Sequence, residues 1–150
     1  MGAIETIYDL KGNKVKEGDI LFYSEISLHK DNPKEYHKSD DVAKFNFFID
    51  NKNNIWQYTY ADSILEVIGI NGVLYTRSLI IRDLEYNFIK YKDEEPIELK
   101  FGLGLCTSNS ILIDAFIIDI DKEVSPYEFM VNNDNKLLQE MADLKIKENI

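Results

Sequence analysis

The reading of the fold turns on D-L-K-G-N-K-V-K-E-G-D-I, residues 9–20. Asp9 to Asn13 is a polar turn in which Gly12 or Asn13 can adopt positive φ. Before it, Ile4-Glu5-Thr6-Ile7-Tyr8 alternates apolar and polar residues, the period of a half-buried strand. After it, a second strand runs from about Lys14 through Gly18 into Ile20-Leu21-Phe22-Tyr23. Gly18 within that run predicts a bulge or bend of the kind that curls a sheet towards a barrel.

Working outward, the polar segment His29–Lys44 has no periodicity and contains Pro33, which predicts a long surface loop. Lys44–Asp50, the turn Asn51-Lys52-Asn53-Asn54 and Ile55–Ala61 read as an aromatic-rich hairpin. Ser63–Ile70 is apolar and β-branched, and Asn71-Gly72 predicts a tight turn into Val73–Tyr75 and on towards Ile81. Further strands are expected at Glu85–Tyr91, Ile97–Phe101 and Ile111–Ile120. Ser125-Pro126-Tyr127-Glu128 is a capping box with Pro at the first helical position, and Leu137, Leu138, Met141 and Leu144 recur at helical spacing. The run Asn132-Asn133-Asp134-Asn135 predicts an interruption between the two. The expected fold is mainly β (α+β): an antiparallel β-barrel or strongly curved sheet with a C-terminal amphipathic helix. It forms one domain over 1–150, β-rich over 1–121 and helical over 125–148, with no internal repeat and no linker.

At 150 residues the chain is long enough to bury a core unaided, and 45% hydrophobic residues argue against disorder. Cys106 is the single cysteine, so no internal disulfide forms, which suits a reducing bacterial cytoplasm. No apolar run approaches the ~20 residues a bilayer requires, and residues 1–8 lack a basic and apolar leader, so no membrane association is expected. A net charge of −10 repels a phosphate backbone, which excludes direct nucleic-acid binding and leaves a protein with a basic surface as the natural partner. The same acidity also serves solubility alone. Fifteen Lys against 2 Arg, with 20 Ile and 13 Asn, point to an AT-rich genome.

Few residues suggest chemistry. Gly102-Leu103-Gly104-Leu105-Cys106-Thr107-Ser108 lacks the Lys and the following helix of a phosphate cradle, and reads as a connection between strands. Cys106 has no base near it in sequence, the only histidines being His29 and His37, so it reads as a small core residue. In an extended strand Asp119, Asp121 and Glu123 share one face, with Asp114 upstream, a set of hard oxygens that suits Mg²⁺ or Ca²⁺. A solvated strand edge accounts for the same acids more economically. No catalytic residue, metal site or cofactor is assigned. The acids Asp93, Glu94, Glu95, Asp119, Asp121 and Glu123 are the candidate partner-binding surface.

Asp9, Gly12, Val15 and Glu17-Gly18-Asp19-Ile20, with Glu66-Val67-Ile68-Gly69 further on, resemble the YopX family of phage and prophage proteins. After Gly69 the pattern departs, and residues 76–150 have no counterpart in it. The resemblance implies a β-rich fold and a phage or mobile-element origin, and it transfers no catalytic residue. The function expected is non-enzymatic: an accessory protein that binds another protein, in its sharpest form an acidic inhibitor of a host-defence or nucleic-acid-processing enzyme. The alternatives are a cytoplasmic immunity protein neutralising a cognate toxin, a small metal-dependent enzyme using the 114–123 acids, and a homo-oligomer paired through edge strands.

Overall fold

The computed structural model describes residues 6–29, 47–58, 62–70, 74–82, 88–90, 97–99 and 109–148. Among them the strands are β1 (Thr6–Tyr8), β2 (Ile20–Tyr23), β3 (Ile26–Leu28), β4 (Phe47–Ile49), β5 (Ile55–Tyr58) and β6 (Ser63–Ile70). They continue with β7 (Leu74–Arg82), β8 (Phe88–Lys90), β9 (Ile97–Leu99), β10 (Asn109–Ile111) and β11 (Ala115–Ile118), and helix α1 (Pro126–Glu148) follows.

The main sheet is antiparallel, in the order β11-β2-β6-β7-β8. β9 pairs with Leu74–Thr76 and β8 with Ile80–Arg82, so these two short strands share one edge of β7 end to end. β3, β5 and β4 form a second antiparallel sheet, and β1 and β10 a parallel pair. Among the described residues β11 does not meet β8 or β9, so the main sheet is open and no closed barrel is found. The expected β-rich architecture with a C-terminal helix is observed. The register of the β6–β7 pair slips twice, with Leu79 of β7 the extra residue opposite Ile64 and Leu65 and Ile68 of β6 the extra residue between Val67 and Gly69; at Gly18 the chain makes a turn rather than a bulge. Gly18 stands ahead of β2 at φ 93°, its N–H donating to Val67 O at 2.8 Å. The Asn71-Gly72 turn, the segment 30–46, the connection 102–108 and Cys106 lie outside the described residues.

Alternation along the strands loads both faces of the main sheet. Phe22, Ile64, Ile80, Phe116 and Ile118 pack with Met130, Leu137, Leu138, Met141 and Ala142 of α1. Leu21, Leu65, Val67, Leu74 and Ala115 turn the other way, onto Ile7, Val15 and Leu112. The result is three layers: α1, the main sheet, and the β1/β10 pair.

The helix runs through Asn132–Asn135 without the expected break. Ser125 caps it, with Oγ accepting the Glu128 N–H at 3.1 Å. Asn133 Nδ2 donates to Phe129 O at 2.8 Å, so its amide is bonded within the helix. Four poor helix formers cost roughly 2–3 kcal/mol together. The buried apolar residues of α1 return ~1.5–3 kcal/mol for each large side chain, and packing wins. The single strand expected over Ile111–Ile120 is in fact two. Leu112 N–H donates to Tyr8 O at 2.8 Å and keeps the chain on β1 before it turns into β11.

Two turns shape the molecule, and they are the same turn. In Asp9–Asn13 the Asp9 carboxylate Oδ1 accepts the N–H of Lys11 at 2.9 Å and of Asn13 at 2.7 Å. In Asp50–Asn54 the Asp50 Oδ1 accepts the N–H of Lys52 and of Asn54, both at 2.8 Å. The backbone bonds match as well: Asp9 N–H to Asn13 O and Gly12 N–H to Asp9 O, against Asp50 N–H to Asn54 O and Asn53 N–H to Asp50 O. The positive-φ position is Gly12 (87°) in one and Asn53 (64°) in the other. The shared pattern D-x-K-[GN]-N is a short internal repeat that the hydrophobic periodicity does not reveal.

Each turn also grips α1. Lys11 forms an ion pair with Glu140, its ammonium 4.4 Å from the Phe116 ring centroid. Lys52 Nζ lies 3.8 Å from Asp143 Oδ1, and Asn51 N–H donates to Gln139 Oε1 at 2.7 Å. The remaining Asp9 oxygen accepts the Ile117 N–H at 2.8 Å while Leu10 N–H donates to Ala115 O at 2.9 Å. The outer edge of β11 is therefore occupied by a turn rather than left open to another strand.

Asp9→Ala strips an acceptor from the N–H groups of Lys11, Asn13 and Ile117. We expect a loss of about 3 kcal/mol or more in urea denaturation, at ~1–3 kcal/mol for each orphaned donor. Gly12→Ala should cost about 1 kcal/mol through its positive φ alone, since no atom lies within 4 Å of the added Cβ. Gly12→Asn should cost less, because Asn53 already fills the equivalent place.

Candidate functional site

The acids at the end of β11 do not share a strand face. β11 stops at Ile118, so the alternation that would align Asp119, Asp121 and Glu123 does not extend to them. The three are exposed and lie in the connection to α1. Asp121 organises that connection: its Oδ1 accepts the Glu123 N–H at 3.0 Å and its backbone O accepts the Val124 N–H at 2.9 Å. Glu128 adds a fourth exposed carboxylate in the first turn of α1. Negative charge in the first turn is favoured by the helix dipole, a structural role that Glu128 fills whatever else it does. Asp93, Glu94 and Glu95 lie outside the described residues.

Asp114 goes elsewhere. It is 9% exposed, between β10 and β11, and pairs with Lys145 near the C-terminal end of α1. Lys145 Nζ also donates to Ile26 O at 2.8 Å, and the Ser24 N–H donates to Asp114 O at 3.0 Å. Glu25 completes the cluster, with the Tyr23 hydroxyl as its hydrogen-bond partner and the charges of Asp114 and Lys145 acting on it. Burial holds the Glu25 carboxyl above its ordinary value; the Tyr23 hydrogen bond opposes this, Asp114 adds to it and Lys145 opposes it. Two oxygens here, Ser24 Oγ and Glu25 Oε2, are buried and have no hydrogen-bond partner among the described residues.

Sequence reading named Asp114 and missed Glu25 and Lys145. A signal existed for Lys145: it stands four residues after Met141 and seven after Leu138, on the apolar stripe of α1, where a cation requires a buried partner. Glu25 carries no such sign, because the corner between β2 and β3 is set by tertiary packing.

Asp50 is the other perturbed acid. Burial raises its pKa, but the Trp56 indole N–H (2.9 Å) and the donors of Asn54 and Lys52 together outweigh that and hold it below its ordinary value. Phe48 stacks on Trp56 at 6.4 Å, so the indole is clamped from its face and from its N–H. Among the described residues no group of three or more His, Cys, Asp or Glu side chains is placed to hold a metal ion. None of their helices is long and apolar enough to cross a membrane.

Because Asp50 is lowered in the folded chain, its contribution to stability is present above the unfolded value of 3.8 and lost as pH falls through the folded value. We expect the Trp56 indole N–H resonance to titrate with a midpoint below 3.8, and Asp50→Asn to abolish that titration. Lys145→Met leaves Asp114 and Glu25 without their cation and should cost about 3–5 kcal/mol in urea denaturation. Adding Asp114→Leu should recover most of it.

Comparison with protein-family models, with curated proteins and with solved structures finds no match for this chain.

Proposed function

We propose that this chain is a non-enzymatic accessory protein of phage or mobile-element type that binds a partner protein carrying a basic surface. The observation that carries the reading is the exposed acidic corner formed by Asp119, Asp121, Glu123 and Glu128 on a chain of net charge −10. Tyr127 and Val131, 48% and 55% exposed, stand one helical turn apart beside it and offer apolar contact next to the charge. In the sharpest version the carboxylates occupy the places of DNA phosphates in the cleft of a host-defence or nucleic-acid-processing enzyme, with electrostatic steering towards it. Asp93, Glu94 and Glu95 belong to the same proposed surface. The protein would act in the cytoplasm of a bacterial host.

The segments that resemble the YopX family support the proposed origin. They lie side by side: Gly18 N–H donates to Val67 O, Val67 N–H donates to Asp19 O, both at 2.8 Å, and Ile20 pairs with Glu66. Glu66 is taken up by an ion pair with Arg77, directly opposite on β7, which suits a structural unit better than a reactive carboxylate.

A tagged pull-down from nuclease-treated bacterial lysate tests the reading. One dominant partner is expected whose capture weakens as salt rises. Charge reversal at Asp93, Glu94, Glu95, Asp119, Asp121 and Glu123 should abolish that capture with the fold intact by circular dichroism. Capture unchanged by the reversal removes the phosphate-mimic version.

A further inference from the structure

The cluster around Lys145 is out of balance. Lys145 from α1 and Asp114 from the β10–β11 connection pair with each other, and Glu25 from the β2–β3 corner stands beside them. Among the described residues the Tyr23 hydroxyl from β2 is the remaining titratable group acting on Glu25. A second carboxylate thus stands in the field of an ammonium already paired with Asp114, in a setting where the side chains of Lys145 and Asp114 are only 15% and 12% exposed. The surplus charge is accompanied by an unmet need, because Glu25 Oε2 and Ser24 Oγ are both buried with no hydrogen-bond partner among the described residues. The same ammonium fastens the last turns of α1 to the sheet, through Asp114 and through Ile26 O at 2.8 Å.

We propose that Glu25, Asp114 and Lys145 form a pH-sensitive latch on the C-terminal turns of α1, tightened when Glu25 takes up a proton. Protonation cancels the surplus charge and leaves Lys145 to Asp114 and Ile26 O alone. It also removes the cost of holding a bare carboxylate oxygen away from water. The sign follows from burial, which raises Glu25 above 4.5, so the closed latch binds the proton more tightly than the unfolded chain does. The resulting stabilisation is complete below 4.5 and is lost as pH rises through the raised value. Acidification within that window therefore closes the latch, whereas it weakens an ordinary carboxylate–lysine pair.

Amide hydrogen exchange on the whole chain at pH 7 and pH 5, corrected for intrinsic chemical rates, tests this. Amides of residues 141–147 are read against those of β6 in the same molecule. Protection of 141–147 should rise several-fold at pH 5. Glu25→Gln should show the tightened level at both pH values. Asp114→Asn should reverse the sign: Lys145 is left with Glu25 alone, and acidification then releases the helix end. A rise that persists unchanged in Glu25→Gln overturns the latch, and so does a rise in Asp114→Asn. Asp114→Asn decides the matter by itself where Glu25→Gln does not fold.

Discussion

The carboxylate of Asp9 is the joint on which the architecture depends. It is fully buried, and its two oxygens accept N–H groups from Lys11, Asn13 and Ile117. One side chain thereby closes the first turn, fixes where β1 lies over the main sheet, and covers the outer edge of β11. A buried charge is tolerated only when it is hydrogen-bonded, and here the backbone supplies the donors. The arrangement needs a short acidic side chain at the head of the turn and a left-handed residue three places on, which Gly12 supplies.

Asp50 repeats the device at the second sheet, and Lys11 and Lys52, at equivalent places in the two turns, both reach acids of α1. The helix is thus braced at two points by one local structure used twice. These exposed ion pairs contribute little individually. Their value lies in register. They set how far along its axis the helix sits while Met130, Leu137, Leu138 and Met141 supply the burial.

Strand positions were legible in the sequence where alternation was strong: β4, β5 and β6 fall within the segments read as strands, β7 runs one residue past the expected Ile81, and the Ser125 cap sets the start of α1. Three things were not legible. The pairing of β1 with β10 is parallel and long-range, and nothing local announces it. Asn132–Asn135 looked like a break because local propensity opposes a helix there, and burial on either side overrode it. The kinship of the two Asp turns escaped because it lies in side-chain acceptors and one φ angle, with x and [GN] varying between copies. For the site, exposed acids were legible as charge but not as shape. Asp114 parted from its neighbours because a buried ammonium, itself on an apolar stripe, drew it inward.

The place of α1 in the chain bears on how the protein is made. Every described strand precedes it in the order of synthesis, yet it supplies one wall of the larger core. Phe22, Ile64, Ile80 and Phe116 are therefore all synthesised before the residues 126–148 that cover them, and apolar side chains left uncovered in that interval invite chaperones or aggregation. The Asp9 turn, by contrast, has every one of its partners in the chain once β11 is synthesised. The residues that close the edge of the sheet are thus made before those that close its core.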